Sequence, residues 1–225
     1  MHFKRPNVLL IYTDQQRCDS LNCYGNKLAI TPNIDGLAKR GALFKNFFVQ
    51  NPVCTPSRVS MLTGRYCSSI QVGCNGHILP DKLIPINQIL KPYGYHTAQI
   101  GKLHFEPHAK RCHKDPTSTY GFDTFILSDE PGCYDDAYTK WVEANNPDMV
   151  DKIRTSLPPA ARHYNQPEYS FVRRETSEPY IFEAGEEYTH SAFVASETCN
   201  FIKQHKNDTF FAIAGFYAPH TPVNP

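Results

Sequence analysis

The sequence predicts an α/β fold, a largely parallel central sheet flanked by helices on both faces. Uninterrupted apolar runs, NVLLIYTD near the start and TFFAIAGFYAPH near the end, read as strands covered on both sides. Helical periodicities alternate with such runs at both ends of the chain. Three strands also end in polar residues: Asp14, then Lys102 with His104, then His220. In parallel sheets ligands gather beyond the carboxyl ends of the strands, so these side chains are the first candidates for a site.

In order, Val8 to Tyr12 forms the first strand and breaks into Asp14. TPNIDGLAKRGALF is a helix, with Pro32 in its first turn and Ile34, Leu37 and Ala38 on one face. FKNFFVQNPV is extended or a short strand. A helix starts at Thr55, which caps it, with Pro56 in the first turn and Val59, Leu62 and Tyr66 on one side. LIPINQILKPYGY is a helix ending near Gly94, and HTAQIGK a strand stopping at Gly101. From about Pro107 to Glu187 periodicity fades into long excursions, with DDAYTKWVEANN the best helix. In YTHSAFVASETCNFIKQHK, Tyr188, Ala192, Ala195, Cys199 and Ile202 make a helical stripe, before the final strand.

Composition narrows the function classes. The 225 residues, 40% apolar and 20% charged, suffice for one sizeable domain or part of a larger one. A net charge of +1 gives no electrostatic case for nucleic acid or an anionic membrane. No apolar run approaches the roughly 18 residues of a membrane span. The apolar start lacks a small-residue cleavage site, so a cytoplasmic location is expected, or a periplasmic or secreted one if a leader has been removed. Eight scattered cysteines without a CxxC pair argue for reduced, semi-buried thiols rather than a disulfide framework or structural zinc.

One of those cysteines has a particular setting, NPVCTPSRVSMLTGRY. Cys54 lies just ahead of a helix start, near backbone N–H groups and the positive end of the dipole. That place favours an anion, either a thiolate or a bound oxyanion, and Arg58 one turn later reaches back toward it. A capped core helix with an incidental cysteine fits CTPSR equally well. Taken singly, Asp14 also reads as a helix cap, Lys102 and His104 as solvated, and His220 as part of a turn.

The wider pattern decides between these readings. Cys54-Thr55-Pro56-Ser57-Arg58 followed by Leu62-Thr63-Gly64 resembles the sulfatase signature C-x-P-S-R-x-x-x-L-T-G at every fixed position. PNVLLIYTDQQR, GYHTAQIGKLHF, YGFDTF and FFAIAGFYAPHTP follow the same family's order, closely over residues 6–106 and more loosely over 188–223. The resemblance implies an alkaline phosphatase/sulfatase-like fold and hydrolysis of a sulfate monoester, carried by a small molecule or a carbohydrate. It implies that a maturation enzyme oxidises Cys54 to Cα-formylglycine, whose hydrate supplies the nucleophile. It implies Ca2+ or another divalent cation held by Asp14, Gln15 and the modified Cys54. Arg58 would steady the nucleophile and Lys102 bind a sulfate oxygen. His104 would assist the hydrate, and His220 would stand near the leaving oxygen.

The resemblance makes residues 1–225 the N-terminal portion of a catalytic domain, with an insert-like region at about 107–187. Complete sulfatases carry a further metal pair and a second lysine after the APHTP motif, so poor activity and exposed apolar surface are expected of the chain alone. The alternatives are a phosphonate or phosphate ester hydrolase of the same superfamily and an inactive fragment. His77, His108, His113 and His190 match no motif, and the acids Asp123, Asp129, Asp135 and Asp136 lie in the middle region at about 107–187 and are given no role.

Overall fold

The computed structural model describes residues 5–107, 118–156 and 179–221; His108, Cys112 and His113 fall outside them. The strands are β1 (Val8–Tyr12), β2 (His96–Gly101), β3 (Thr124–Leu127) and β4 (Phe210–Gly215). They form one sheet in the order β1-β4-β2-β3, and every pairing is parallel. The fold class expected from the sequence is therefore observed, with β4 inserted between the first two strands of the chain.

Alternation along the central strands divides the core. Phe210, Ala212 and Ala214 of β4, with Ala98 and Ile100 of β2, face a cluster built on Tyr138, Val142, Phe193, Val194 and Phe201. These belong to α5 (Ala137–Asn145) and α7 (His190–Gln204). Phe211 and Ile213 point the other way, toward Val59 and Leu62 of α2 (Cys54–Thr63) and Ile70 of α3 (Cys67–Ile70). A period of two places successive side chains on opposite faces, so β4 in the middle of the sandwich is apolar throughout, while β2 beside it buries the polar Thr97 and Gln99. No helix among the described residues is long and apolar enough to cross a membrane.

Several expectations are corrected. β1 is an edge strand, so Val8, Leu9 and Ile11 are 39%, 38% and 56% exposed rather than covered on both faces. FKNFFVQNPV forms no strand; Phe47 and Val49 line a groove with Leu10, Tyr12 and Met61. The helix α1 (Pro32–Arg40) starts where expected, yet Ile34 and Leu37 are exposed. LIPINQILKPYGY splits into α4 (Ile86–Leu90) and a 3-10 turn closed by Gly94. α2 starts at Cys54, and Thr55 is no cap: its hydroxyl donates to the His104 carbonyl at 3.0 Å. Tyr66 lies beyond that helix and is exposed. The buried side of α7 is His190, Phe193, Val194, Thr198 and Phe201, leaving Ala195 and Cys199 of the expected stripe exposed. Phenylalanine outweighs alanine in deciding which face turns inward.

The 107–187 region is more than an excursion. It supplies β3, paired with β2, and α5, whose N-cap Asp136 accepts from the Thr139 amide. The helix α6 (Val150–Ile153) follows. Among the seven cysteines of the described residues only Cys133 is buried, its thiol 3.2 Å from the Thr155 hydroxyl and the Ser156 carbonyl.

Two glycines set the sheet's business end. Gly101 and Gly215 are register partners at the carboxyl ends of β2 and β4, and the Lys102 amide donates to the Gly215 carbonyl at 2.8 Å. A Cβ on Gly215 would lie 2.3 Å from the Lys102 carbonyl oxygen, a backbone atom that cannot swing aside. Gly215→Ala is expected to destabilise the chain by about 1–3 kcal/mol, measured by urea unfolding.

His190 sits under the sheet's carboxyl end with Nε2 3.3 Å from the Ser128 carbonyl, and burial pushes its pKa down to about 3. A folded pKa below the unfolded value of 6.5 means the contribution is intact above pH 6.5 and is lost as pH falls toward 3. At the opposite end of the sheet, burial and then His205, whose ring centroid is 4.0 Å away, lower His96 with the same sign. Unfolding free energy should therefore fall between pH 7 and pH 5, and His190→Gln should flatten that slope if it folds. A slope unchanged in the variant would contradict the assignment.

Candidate active site

Each strand's carboxyl end contributes to one polar cluster. Asp14 follows β1, Lys102 follows β2, Asp129 and Glu130 follow β3, and Tyr217 and His220 follow β4. Cys54 enters from the first turn of α2. That helix is set by Asn51, whose side chain accepts from the Val53 amide, and by Asn75, which accepts from the Thr55 amide at 2.9 Å.

Asp14 is the hub. The fully buried Lys102 Nζ lies 2.6 Å from its Oδ2, and Arg58 Nη2 lies 3.4 Å from the same oxygen. The Cys54 thiol lies 3.6 Å from both carboxylate oxygens. Burial alone would raise the Asp14 pKa, but Lys102 and Arg58 outweigh it and hold the carboxyl below its usual range. Arg58 is fixed further by donating from Nη1 to the Lys102 carbonyl at 2.8 Å and by lying over the Tyr12 ring. Lys102 lies 4.3 Å from the centre of the Tyr217 ring and 4.0 Å from Glu130.

The Cys54 thiol is displaced upward, first by burial and then by Asp14, with Lys102 and Arg58 offsetting only part. The unmodified residue therefore keeps its proton, and of the two anions allowed at this helix start the thiolate is disfavoured. A helix dipole acts over one turn and is outweighed here by burial beside a carboxylate.

Of the residues singled out from sequence, Asp14, Cys54, Arg58, Lys102 and His220 are brought together. His104 adjoins them through its backbone, which takes a left-handed conformation at φ 58° and is bonded to Thr55. Gln15 is also left-handed, and its side chain is exposed. Asp129 and Glu130 were not among the candidates. Asp129 accepts from the Leu103 and His104 amides at 2.7 and 2.8 Å and so holds the Lys102–His104 loop. The signal was a short strand, TFIL, just ahead of SDE.

Ligand atoms of Asp14, Cys54 and His220 lie within 4.8 Å of one another. A carboxylate, a thiol and an imidazole suit a softer ion than calcium. Replacing the sulfur by the oxygens of a hydrated aldehyde, and adding the amide oxygen of Gln15, would move the set toward a hard cation. The residues fit a divalent cation on that condition, with further oxygen ligands needed to complete its shell.

The family model described as Sulfatase matches residues 6–225. An ulvan-active sulfatase of Formosa agariphila is 30% identical over 219 residues, covering 97% of this chain and 36% of the relative. Among solved structures, a phosphonate monoester hydrolase of Agrobacterium radiobacter superposes with a TM-score of 0.69 at 23% identity, over 98% of this chain and 42% of that one. A protein solved with its substrate D-glucosamine-2-N,6-O-disulfate gives a TM-score of 0.63 at 24% identity, over 96% and 35%. The chain thus spans about two fifths of the length of the proteins it resembles.

Proposed function

The chain belongs to the sulfatase family, and from that premise we propose that it cleaves a sulfate monoester through an oxygen nucleophile carried on residue 54. The observation that carries this reading is the convergence of Cys54, Asp14, Arg58, Lys102 and His220 at the carboxyl ends of the sheet. Two buried cations there face a carboxylate and a residue at a helix N-terminus, a setting suited to a tetrahedral oxyanion.

In this reading Cys54 is oxidised to Cα-formylglycine by a separate maturation enzyme that brings the electron acceptor. One hydroxyl of the aldehyde hydrate gives its proton to solvent and attacks sulfur, and the bond from sulfur to the substrate's alcohol oxygen breaks. His220 gives that oxygen its proton. His104 takes the proton of the second hydroxyl, so that the aldehyde reforms and sulfate departs with its bridging oxygen. Water then restores the hydrate. Arg58 and Lys102 hold sulfate oxygens and neutralise developing charge. A divalent cation held by Asp14, Gln15 and residue 54 would add positive charge at the same place. Sulfated carbohydrates are candidate substrates, given the ulvan-active relative.

The fold shared with a phosphonate monoester hydrolase supports a second reading, since phosphoryl and sulfuryl groups make similar demands on Arg58 and Lys102. Mass spectrometry of the peptide containing Cys54 is expected to find an aldehyde in place of the thiol when the chain is made alongside a maturation enzyme. Turnover of 4-nitrophenyl sulfate should exceed that of phenyl phosphonate esters and disappear in Cys54→Ala. A preference for the phosphonate would install the second reading. No ester cleavage with residue 54 fully converted would install the third alternative, an inactive fragment.

A further inference from the structure

A cavity of about 350 Å3 adjoins the cluster, with Tyr217 and His220 shared between the two. Its far walls come from the stretch between β3 and α7: Tyr138, Ile153, Thr155, Tyr180 and Phe182. The Tyr217 ring stands between the compartments, touching Lys102 on one side and packing 4.6 Å from the His220 ring. A sulfate ester seated on the cluster would direct its alcohol past His220 into this space.

The chemistry of the walls is uneven in an informative way. They contain tyrosines and threonines, and four of those hydroxyls already donate to backbone carbonyls. Tyr138 donates to Tyr188 at 2.6 Å, Thr155 to Pro131 at 2.9 Å, Thr189 to Glu186 at 2.8 Å and Tyr217 to Thr221 at 2.7 Å. No lysine or arginine lies among the described residues of the wall. His190 adds no charge, since burial keeps its ring neutral at ordinary pH. A second anionic group entering here would lose its water and meet no lysine or arginine among the described residues of the wall. A hydroxyl-rich ring would meet few free donors. An apolar ring face meets Tyr138, Ile153, Phe182 and Tyr180, and the volume is at the lower end for ligand pockets.

We infer that this cavity is the subsite for the alcohol part of the substrate, and that it selects one compact, uncharged ring with an apolar face and excludes a ring bearing a second anion. The inference rests on the sulfate ester reading for what occupies the neighbouring cluster. It adds a selectivity that sets this chain apart from the protein bound to a disulfated glucosamine.

The test separates the two claims by using the alcohol without its sulfate. Binding of 4-nitrophenol, glucose and glucosamine 2-N-sulfate to the unmodified chain is followed by saturation-transfer NMR with chelator present. The phenol is expected to bind, and the other two to show no transfer. Phe182→Ala should weaken the phenol by about tenfold and leave the melting of α7 by hydrogen exchange unchanged. Binding of either sugar in preference to the phenol overturns the inference, as does phenol binding that Phe182→Ala and Ser191→Trp, which fills the cavity, both leave unaltered. Phenol binding in a chain that cleaves no sulfate ester would point to the inactive-fragment alternative and keep the subsite. Sulfate ester cleavage with no phenol binding would do the reverse.

Discussion

Lys102→Met is expected to destabilise the chain by roughly 3–5 kcal/mol, the usual cost of removing one partner from a buried charge pair. Lys102 has no solvent-exposed surface, and its ammonium lies 2.6 Å from Asp14 and 4.0 Å from Glu130. Methionine matches its length but takes the ammonium away from two buried carboxylates, leaving Asp14 to Arg58 and His220. The pH dependence identifies the cause. With Lys102 present, Asp14 has a lowered pKa, so its contribution is intact above the unfolded value of 3.8 and is lost as pH falls. Without Lys102, burial, the largest influence on Asp14, is less opposed and the carboxyl shifts upward. A raised folded pKa stabilises at low pH and loses that contribution as pH rises. The gap between Lys102→Met and the parent should therefore narrow from pH 7 to pH 4.5, in urea unfolding with chelator present. A gap independent of pH would mean that methionine disturbs packing rather than charge.

Asp129→Ala is expected to cost roughly 3–6 kcal/mol, from two hydrogen bonds to a charged acceptor at about 1.5–3 kcal/mol each. Its Oδ1 takes the amides of Leu103 and His104, and both those residues and Asp129 are buried. The loop needs that anchor because His104 adopts a left-handed backbone, which favours glycine or asparagine. Asp129→Asn keeps an acceptor of similar shape and should recover about half the loss. Amide exchange at Leu103 and His104 should accelerate in Asp129→Ala beyond the change in global stability. Equal protection in both variants would assign Asp129 a packing role only.

Why Asp129 had to be found in the structure is itself physical. β2, β4 and α5 were legible because each carries enough periodic or continuous apolar sequence to declare its geometry. β3 is four residues, Thr124–Leu127, only its last fully buried, and has no room for a period. Its importance comes from register: Leu127 pairs with Gly101, which brings Asp129 beside the residues that follow β2. Register between distant segments leaves no local mark. The cluster of Asp14, Cys54, Arg58, Lys102 and His220 was readable because strand ends in parallel sheets converge and the signature around Cys54 is specific. The upward displacement of its thiol was not, since the helix dipole is visible in sequence and the burial opposing it is not.

The strand order also governs how this assembly comes into being. β1 and β2 do not touch; both pair with β4, which is last in sequence and central in space. The pairing of Val8 with Phe211 closes a loop of about two hundred residues, an entropic cost that nearer contacts such as Tyr12 with Ser57 offset only in part. A topology dominated by such distant pairings folds slowly. The polar cluster is accordingly a late product of folding: the portion bearing Asp14 and the portion bearing Lys102 are joined across the sheet only when Phe210–Gly215 takes its place between them.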